Sequence, residues 1–188
     1  MKYILASASE RRQELLGRII DDFDIIISSF DENSVIFDND IEKYVKILAE
    51  GKAKDVSNKL DGDNIIIAAD TIVVLDNKIL GKPKSEIDAF NTLQALSGRI
   101  HKVYSAIAVL NTKNNKLITR CLYTEVEFDN LTNEEINQYI MTKEPLDKAG
   151  SYGIQGLGGV FVKRINGCYY NVVGLPLNEL KNILKEIK

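Results

Sequence analysis

The sequence places hydroxyl and guanidinium groups directly after a short apolar segment near its start. Residues 3–6 are predicted to form a strand, and Ser7, Ser9, Arg11 and Arg12 follow it. Cations in the first turn of a helix oppose the helix dipole, so the two arginines are locally unfavourable there. A bound anion would resolve this conflict, because backbone N–H groups, hydroxyls and guanidinium groups would all point toward it. The alternative is that both arginines are solvated.

The helix that carries the arginines has two candidate caps. Ser7 stands three residues before Glu10, which is the spacing of a capping box. Ser9 is the alternative N-cap residue of the same helix. Either serine would start the helix beside the predicted anion site.

One acidic residue interrupts a continuous apolar run. Residues 65–75 are typical of a strand that is covered on both faces, and Asp70 lies within them. An unpaired carboxylate buried there would cost several kcal/mol, so Asp70 must pair with a cation, bind a metal or take up a proton. Thr71 adds a neighbouring hydroxyl. The structural alternative is that Asp70 only forms an ion pair with a lysine.

Other charged residues could complete a site around Asp70. Asp31 and Glu32 lie in a polar stretch, and together with Asp70 they would supply oxygen ligands for Mg²⁺. Lys52 lies on the apolar face of a helix that is predicted over residues 41–56. It either reaches past the core to a cleft or extends to solvent.

A glycine-rich segment offers a place for a nucleotide base. Residues 150–159 contain five glycines, a density that predicts close approach of the backbone to a ligand or to another strand. Gln155 carries an amide that can donate and accept at once, as base recognition requires. The segment lacks GxGxxG, and no GxxxxGK[ST] occurs in the chain. Upstream, Lys82 and Lys84 flank Pro83 and offer two ammonium groups.

Composition narrows the chemistry. The chain has 188 residues and a net charge of −3, so it lacks the global positive charge that binds nucleic acid polymers. His101 is the only histidine, and Cys121 and Cys168 form no CxxC pair, which argues against zinc and leaves Mg²⁺ or Mn²⁺ on carboxylates. Two such cysteines, with no signal peptide or membrane span apparent, predict a cytoplasmic protein without membrane partners.

The apolar patterning predicts a single mixed α/β domain over residues 1–188. Helices are predicted over residues 41–56, from Ser85 to residues 97–98, from Thr132 and from Pro176, and strands over residues 65–75, 103–110 and 117–128. Asn166-Gly167 predicts a hairpin between residues 160–165 and 168–173. Hairpins among the strands argue against a simple doubly wound sheet.

Segments spread over nearly the whole chain resemble the Maf family. They are residues 5–12 (LASASERR), 69–73 (ADTIV), 81–83 (GKP), 96–98 (LSG), 144–150 (EPLDKAG), 152–156 (YGIQG) and 169–176 (YYNVVGLP). The resemblance implies a fold related to the inosine triphosphate pyrophosphatases, with a mixed twisted sheet flanked by helices. It also implies a homodimer that uses a divalent metal to hydrolyse a nucleoside triphosphate to its monophosphate and pyrophosphate.

The resemblance implies roles for individual residues as well. Asp70 would accept a proton or orient the metal and the attacking water, and Glu32 would be a second metal ligand. Residues tied to substrate choice would be Arg11, Arg12, Thr71 and Gln155, and residues that line the triphosphate would be Ser7, Ser9, Lys52 and Lys82. The form of the sequence that contains Gln155 resembles the branch that acts on dTTP and UTP rather than the branch that prefers 7-methyl-GTP.

Two departures from the family pattern and two other functions stay open. Glu10 stands where Pro is expected, which would weaken phosphate binding nearby, and Ser105 stands where Thr is expected. The predicted enzyme would keep non-standard nucleotides, modified pyrimidines among them, out of nucleic acids, with a role in arrest of cell division. One alternative is a nucleotide-binding regulator of septum formation without significant catalysis. The other is removal of purine triphosphates of the inosine type.

Overall fold

Strands and helices are interspersed along the chain. The computed structural model describes residues 1–187. The strands are β1 (Lys2–Leu5), β2 (Asp24–Ile25), β3 (Asn64–Leu75), β4 (Lys78–Leu80), β5 (Ile100–Asn111), β6 (Lys116–Phe128) and β7 (Val162–Asn166). The α-helices are α1 (Glu10–Leu16), α2 (Ile41–Ser57), α3 (Glu86–Leu96), α4 (Asn133–Met141), α5 (Tyr169–Val173) and α6 (Leu177–Glu186). Short 3₁₀ helices span Glu32–Ser34, Glu144–Asp147, Ala149–Ser151 and Leu157–Phe161.

These strands form one mixed sheet in the order β2-β1-β3-β5-β6-β7, and β4 pairs with β3. β1 runs parallel to both β2 and β3, whereas β4 runs antiparallel to β3 and β7 runs antiparallel to β6. β3 is buried along nearly its whole length, as its continuous apolar run predicts. The mixed sheet flanked by helices confirms the predicted fold class.

By its internal contacts the chain divides into two compact units. The first contains Met1–Asp70, Ser105–Leu122 and the segment that begins at Gly174, and the second contains Thr71–Tyr104 and Tyr123–Val173. The single domain expected from the sequence stays a prediction. Within residues 1–187, no helix is both long and apolar enough to cross a membrane.

Each unit has its own apolar core. In the first unit, fully buried side chains come from β1, α1, α2 and β3, among them Leu5, Leu16, Val45 and Ile67. The core of the second unit is more aromatic and includes Phe128, Tyr139, Tyr152 and Phe161. The centroids of the Phe128 and Tyr152 rings lie 4.7 Å apart, edge to face. Packing of the apolar face of α2 into the first core places Lys52 on the side of the helix that points inward.

Most predicted helix starts are confirmed. The Ser85 hydroxyl accepts a hydrogen bond from the Asp88 N–H at 3.1 Å, and Thr132 forms a complete capping box with Glu135. Pro176 precedes α6 as predicted. The capping box predicted for Ser7 is wrong, because the Ser7 hydroxyl accepts instead from the N–H of Ser9 at 3.2 Å. Ser9 holds the N-cap position of α1, but its side chain makes no capping hydrogen bond.

The hairpin predicted at Asn166-Gly167 is also wrong. β7 precedes these residues and pairs with β6, but the chain after them forms helix α5 instead of a second strand. Gly167 has φ +134, and a Cβ there would lie 2.8 Å from the Thr124 hydroxyl, so the turn is shaped by a tertiary contact. The buried Asn171 amide donates to the Val103 carbonyl at 2.8 Å, which binds α5 to β5. These long-range contacts outweigh the local preference for a hairpin.

Candidate active site

Asp70 is buried on β3 and pairs with Lys52 of α2. The Lys52 ammonium donates a short hydrogen bond to Oδ1 of Asp70, and Asp70 as a whole is 8% exposed. The Lys52 side chain is 15% exposed, so it reaches inward rather than to solvent. Both helix and strand are held by the first core, and the ammonium supplies the countercharge that a buried carboxylate needs. The lysine partner that the structural alternative called for is therefore present.

Glu32 is the second carboxylate on the same ammonium. Its Oε1 lies 2.8 Å from Lys52 Nζ, and its side chain is about half exposed. Glu32 begins a 3₁₀ helix that is capped by Asp31, whose carboxylate accepts from the N–H of Asn33 at 3.0 Å. Asp31 therefore shapes the turn, while Glu32 and Asp70 share one cation.

The segment 28–37, which carries Glu32, is attached along α2. At one end, the Asp55 carboxylate accepts from the Ser29 N–H at 2.7 Å and from the Ser28 hydroxyl at 2.9 Å. A side-chain hydrogen bond from Lys59 is the largest of the effects that lower the pKa of Asp55, to about 2. At the other end, the Phe37 and Tyr44 rings pack edge to face with centroids 5.4 Å apart.

Gly51 of α2 is the point where this segment comes closest to the helix. A Cβ at Gly51 would lie 2.4 Å from the Phe30 ring, so only glycine leaves room for that ring against α2. Phe30 stands two residues before Glu32, and its contact Gly51 stands one residue before Lys52 on α2. It therefore contributes directly to placing the Glu32 carboxylate beside the Lys52 ammonium.

Ser7 and Arg12 form a second cluster in the first unit. Arg12 Nε donates to the carbonyl of Gly174 at 2.9 Å, and its Nη1 donates to the Ser7 hydroxyl at 3.4 Å. Burial lowers the pKa of Arg12, and the negative charge of Asp70 opposes that shift. Arginine stays charged at such a shift, so Arg12 brings a fixed positive charge into the electrostatic field of Asp70. Arg11 lies beside it and is half-buried.

Tyr44 of α2 lies near the site, although the sequence did not indicate it as a site residue. Burial, followed by the negative charges of Asp70 and Glu32, raises the pKa of Tyr44 above its usual value. Its place two turns before Lys52 on the same helical face is the signal that could have associated it with the site.

Three other predicted site residues, Thr71, Lys82 and Gln155, belong to the second unit. Thr71 follows Asp70 on β3 and is half-buried, whereas Lys82 and Gln155 are exposed. Lys82 comes directly after β4, and Gln155 comes between two 3₁₀ helices. Contacts thus join Glu32, Lys52 and Asp70. The functional roles of all the predicted site residues, these three included, stay predictions.

The glycine-rich segment encloses a side chain of the protein itself. A Cβ at Gly156 would lie 2.3 Å from Oε1 of Glu144, and one at Gly158 would lie 2.6 Å from the Tyr139 hydroxyl. The close approach predicted from these glycines is present. A Cβ at Gly150 would lie 2.8 Å from a methyl group of Val73 on strand β3, whereas Gly156 and Gly158 lie against Glu144 and Tyr139. An acidic residue shortly before a glycine cluster is the sequence signal that was missed.

The carboxylates present suit a hard divalent cation. Among residues 1–187, no group of three or more His, Cys, Asp or Glu side chains is arranged to bind a metal. Glu32 and Asp70 are two oxygen donors beside one ammonium, and Mg²⁺ is commonly bound by one or two carboxylates together with substrate phosphates. The pair therefore fits a cation that arrives with a phosphorylated ligand better than a resident structural metal.

Comparisons with known proteins agree with the sequence resemblance. The chain matches the family described as Maf-like protein over residues 2–187. It is 62% identical over 188 residues to a dTTP/UTP pyrophosphatase of Clostridium beijerinckii, and the match covers 100% of both chains. It is 63% identical over 187 residues to a dTTP/UTP pyrophosphatase of Clostridium novyi, covering 100% of this chain and 98% of the relative.

One solved structure supports the fold. The Staphylococcus aureus Ham1 protein superposes with a TM-score of 0.51 at 14% identity and covers 100% of both chains. At this identity the likeness concerns the fold alone. The family match over nearly every residue and the full-length relatives show that the chain belongs to the Maf family.

Proposed function

We propose that this chain hydrolyses dTTP and UTP to the corresponding monophosphates and pyrophosphate. The observation that carries the proposal is the buried Asp70, which shares the Lys52 ammonium with Glu32. Recognition of a nucleotide does not by itself require a buried carboxylate, whereas general-base activation of water uses a positioned proton acceptor, a role that a carboxylate can fill. The names of the clostridial relatives support the choice of pyrimidine nucleotides.

In the proposed reaction, water attacks the α-phosphorus of the nucleotide. A new P–O bond forms as the bond from the α-phosphorus to the bridging oxygen breaks, and pyrophosphate leaves with that electron pair. Asp70 takes up a proton from the attacking water, or orients that water. Its place on a strand held in the core keeps the carboxylate fixed during the reaction.

Cationic side chains stabilise the charge that builds up on the leaving group. Lys52, whose ammonium contacts both carboxylates, and Arg12, whose guanidinium is anchored on Gly174, are the two best-placed cations of the first unit. We assign Arg11 and Lys82 to the same task on the basis of the family resemblance. Ser7 and Ser9 would donate hydroxyl hydrogen bonds to the phosphates.

Metal dependence is part of the proposal. Glu32 and Asp70 would hold Mg²⁺ or Mn²⁺, which when bound supplies charge neutralisation for the phosphates and acidifies a bound water. Thr71 and Gln155 are proposed to select the substrate, and Gln155 would read the base through its amide. A homodimer and a cytoplasmic location stay predictions.

The experiment is pyrophosphate release from a panel of nucleoside triphosphates with Mg²⁺ or Mn²⁺. The panel contains dTTP, UTP, CTP, purine triphosphates including ITP, and methylated and isomerised uridine triphosphates. The variant is Asp70→Asn, and the matched control is Asp63→Asn, which changes an exposed acid just before β3. We expect selective hydrolysis of dTTP and UTP, with Asp70→Asn lowering kcat by about 10²–10⁴-fold while nucleotide binding is largely kept.

Each other outcome removes a part of the proposal. Equal turnover by Asp70→Asn would exclude Asp70 from the mechanism. Preference for ITP would favour removal of purine nucleotides of the inosine type. No release from any nucleotide, with binding intact, would favour a regulator that binds nucleotides without significant catalysis.

A further inference from the structure

Hydrogen-bond donors surround the Glu144 carboxylate in the second unit. Oε1 accepts from the Tyr139 hydroxyl at 2.8 Å and from the Gly158 N–H at 3.3 Å, and Oε2 accepts from the Leu157 N–H at 2.9 Å. Burial raises the pKa of Glu144, but the hydrogen bonds from Leu157, Tyr139 and Gly158 outweigh it and lower the pKa overall. The carboxylate is therefore held ionised at the centre of this cluster.

These contacts hold the turn that presents Gln155. The Gly156 N–H donates to the Gly153 carbonyl at 3.2 Å, which closes a turn over residues 153–156. The Tyr139 hydroxyl also accepts from the Gly153 N–H at 3.3 Å. Tyr139 thus contacts the start of the turn, and Glu144 contacts the two residues that directly follow it.

A Cβ at either end of the turn would meet a neighbouring side chain, Glu144 at Gly156 and chiefly Lys148 at Gly153. A Cβ at Gly156 would lie 2.3 Å from Oε1 and 2.6 Å from Oε2 of Glu144. A Cβ at Gly153 would lie 2.8 Å from Cε of Lys148 and 3.4 Å from Oε1 of Glu144. The backbone on either side of Gln155 thus packs closely against Lys148 at Gly153 and against the Glu144 carboxylate at Gly156, although Gln155 itself is exposed.

We propose that Glu144 is a positioning residue for base selection, which fixes the turn over residues 153–156 so that the Gln155 amide has one orientation. The inference rests on the proposed function, because Gln155 is the residue assigned there to read the base. An amide can tell a carbonyl from an amino group only if its oxygen and nitrogen are held in a defined orientation. The Glu144 carboxylate, which accepts from two backbone N–H groups and from the Tyr139 hydroxyl, holds the backbone from which the Gln155 side chain extends.

The test compares UTP with CTP, whose bases differ at position 4, where uracil has a carbonyl and cytosine an amino group. The variants are Glu144→Ala, Gln155→Ala and the double variant, and Glu134→Ala is the control because it removes an exposed acid from α4. The readout is the ratio of kcat/KM for UTP to kcat/KM for CTP. We expect each single variant to lower the ratio about tenfold or more and the double variant to lower it no further, since both act through one amide.

Chemical rescue supplies a second measure. Formate added to Glu144→Ala is expected to restore the ratio, because a small carboxylate can accept from the same N–H groups, whereas chloride at equal ionic strength is not. Tyr139→Phe keeps the carboxylate and removes one donor, so we expect a smaller decrease of about threefold. A merely structural role for Glu144 would lower turnover of both nucleotides and leave their ratio unchanged, and that result would overturn the proposal.

Amide hydrogen exchange separates this inference from the proposed function. Glu144→Ala is expected to speed exchange at residues 156–158 at least about tenfold, with α4 unaffected. Unchanged exchange there would overturn the positioning role whatever the activity. A wild-type chain that hydrolyses neither UTP nor CTP would contradict the proposed function instead, and faster exchange with an unchanged UTP to CTP ratio would overturn the role in selection.

Discussion

Asp70 and Glu144 are both carboxylates with well-defined partners, one in each compact unit, but the partners differ in charge. Asp70 is buried and pairs with the ammonium of Lys52. Glu144 is half-buried, and the neutral Tyr139 hydroxyl and two backbone N–H groups donate to it. An ammonium has three N–H donors and can bind a phosphate as well as a carboxylate, whereas backbone donors are fixed in direction by the chain. The first arrangement suits chemistry and the second suits positioning.

The buried polar side chains of the second unit are uncharged. His101 is 1% exposed, and its Nε2 lies 2.8 Å from the Tyr152 hydroxyl. Burial lowers the pKa of His101 to about 4, so the imidazole is neutral near pH 7. The buried polar groups Ser151 and Asn171 of this unit are likewise uncharged. Among the buried polar residues of 1–187, Asp70 is the one carboxylate, and it pairs with the Lys52 ammonium.

The largest effect on stability is expected from Lys52→Met. This change keeps the length and apolar stem of the side chain but leaves Asp70 buried without its ammonium. Removal of one partner from a buried ion pair costs about 3–5 kcal/mol of unfolding free energy. Urea unfolding measures it, with Lys54→Met, an exposed lysine of the same helix, as a control that changes stability by less than about 1 kcal/mol.

The double variant Lys52→Met/Asp70→Asn makes the comparison sharper. Because it removes both charges, most of the stability lost in Lys52→Met should return. A double variant as unstable as Lys52→Met would mean that the loss comes from packing and that the charge on Asp70 needs no countercharge.

A smaller effect is expected from the pH dependence of His101. Its pKa is about 4 in the folded chain and near 6.5 when unfolded, so the unfolded chain binds the proton more readily. Stability from this group is complete above about pH 7 and falls as the pH decreases toward 4, by about 2 kcal/mol between pH 7 and pH 5. The measurement is urea unfolding at both pH values, and His101→Gln should remove this dependence.

Because His101 is the only histidine in the sequence, its ring signals in the NMR spectrum report its titration directly. A midpoint near 6.5 in the folded chain would contradict the assignment of a neutral buried imidazole. It would also weaken the contrast between the buried Asp70 carboxylate of the first unit and the neutral buried polar side chains of the second.

The smallest effect is expected from a methyl group beside Glu144. Gly156→Ala would place a Cβ 2.3 Å from Oε1 of Glu144, with no penalty from φ, which is −101. Because the obstacle is the end of a flexible side chain, we expect a cost of about 1 kcal/mol as the carboxylate moves away. In Gly81→Ala, the matched control, the Cβ meets nothing within 4 Å, so stability should change by less than about 0.5 kcal/mol.

The two glycine variants are compared by thermal unfolding. If Gly156→Ala is as stable as Gly81→Ala, the segment moves freely around Glu144. The carboxylate would then not hold the residues that follow Gln155.

Much of the fold followed from local patterns in the sequence. The apolar run predicted β3 almost to the residue, and the serine and threonine caps predicted the starts of α3 and α4. These predictions are confirmed because each depends on neighbours within a few residues. The hairpin at Asn166-Gly167 is wrong because Gly167 and Asn171 are placed by contacts with Thr124 and Val103, which are distant in the sequence.

The candidate site was predictable as an inventory of residues but not as an arrangement. A carboxylate within an apolar strand, as at Asp70, had to find a partner, and that necessity is a property of the sequence alone. Whether Lys52 would be that partner could not be read from one sequence, because it depends on how α2 packs on the sheet. The position of Glu144 shortly before a glycine cluster is a weak local signal, because the same glycines could equally have accommodated a ligand.

The sequence by itself determined the family, the fold class and the types of charged groups available for phosphate chemistry. Family motifs and apolar periodicity are local in the chain, and they survive without knowledge of any distant contact. Only the tertiary structure decided that Lys52 joins Asp70 to Glu32 and that the glycine-rich segment closes around Glu144. Countercharges and steric fit depend on atoms that packing brings together, and no single segment of the sequence determines that packing.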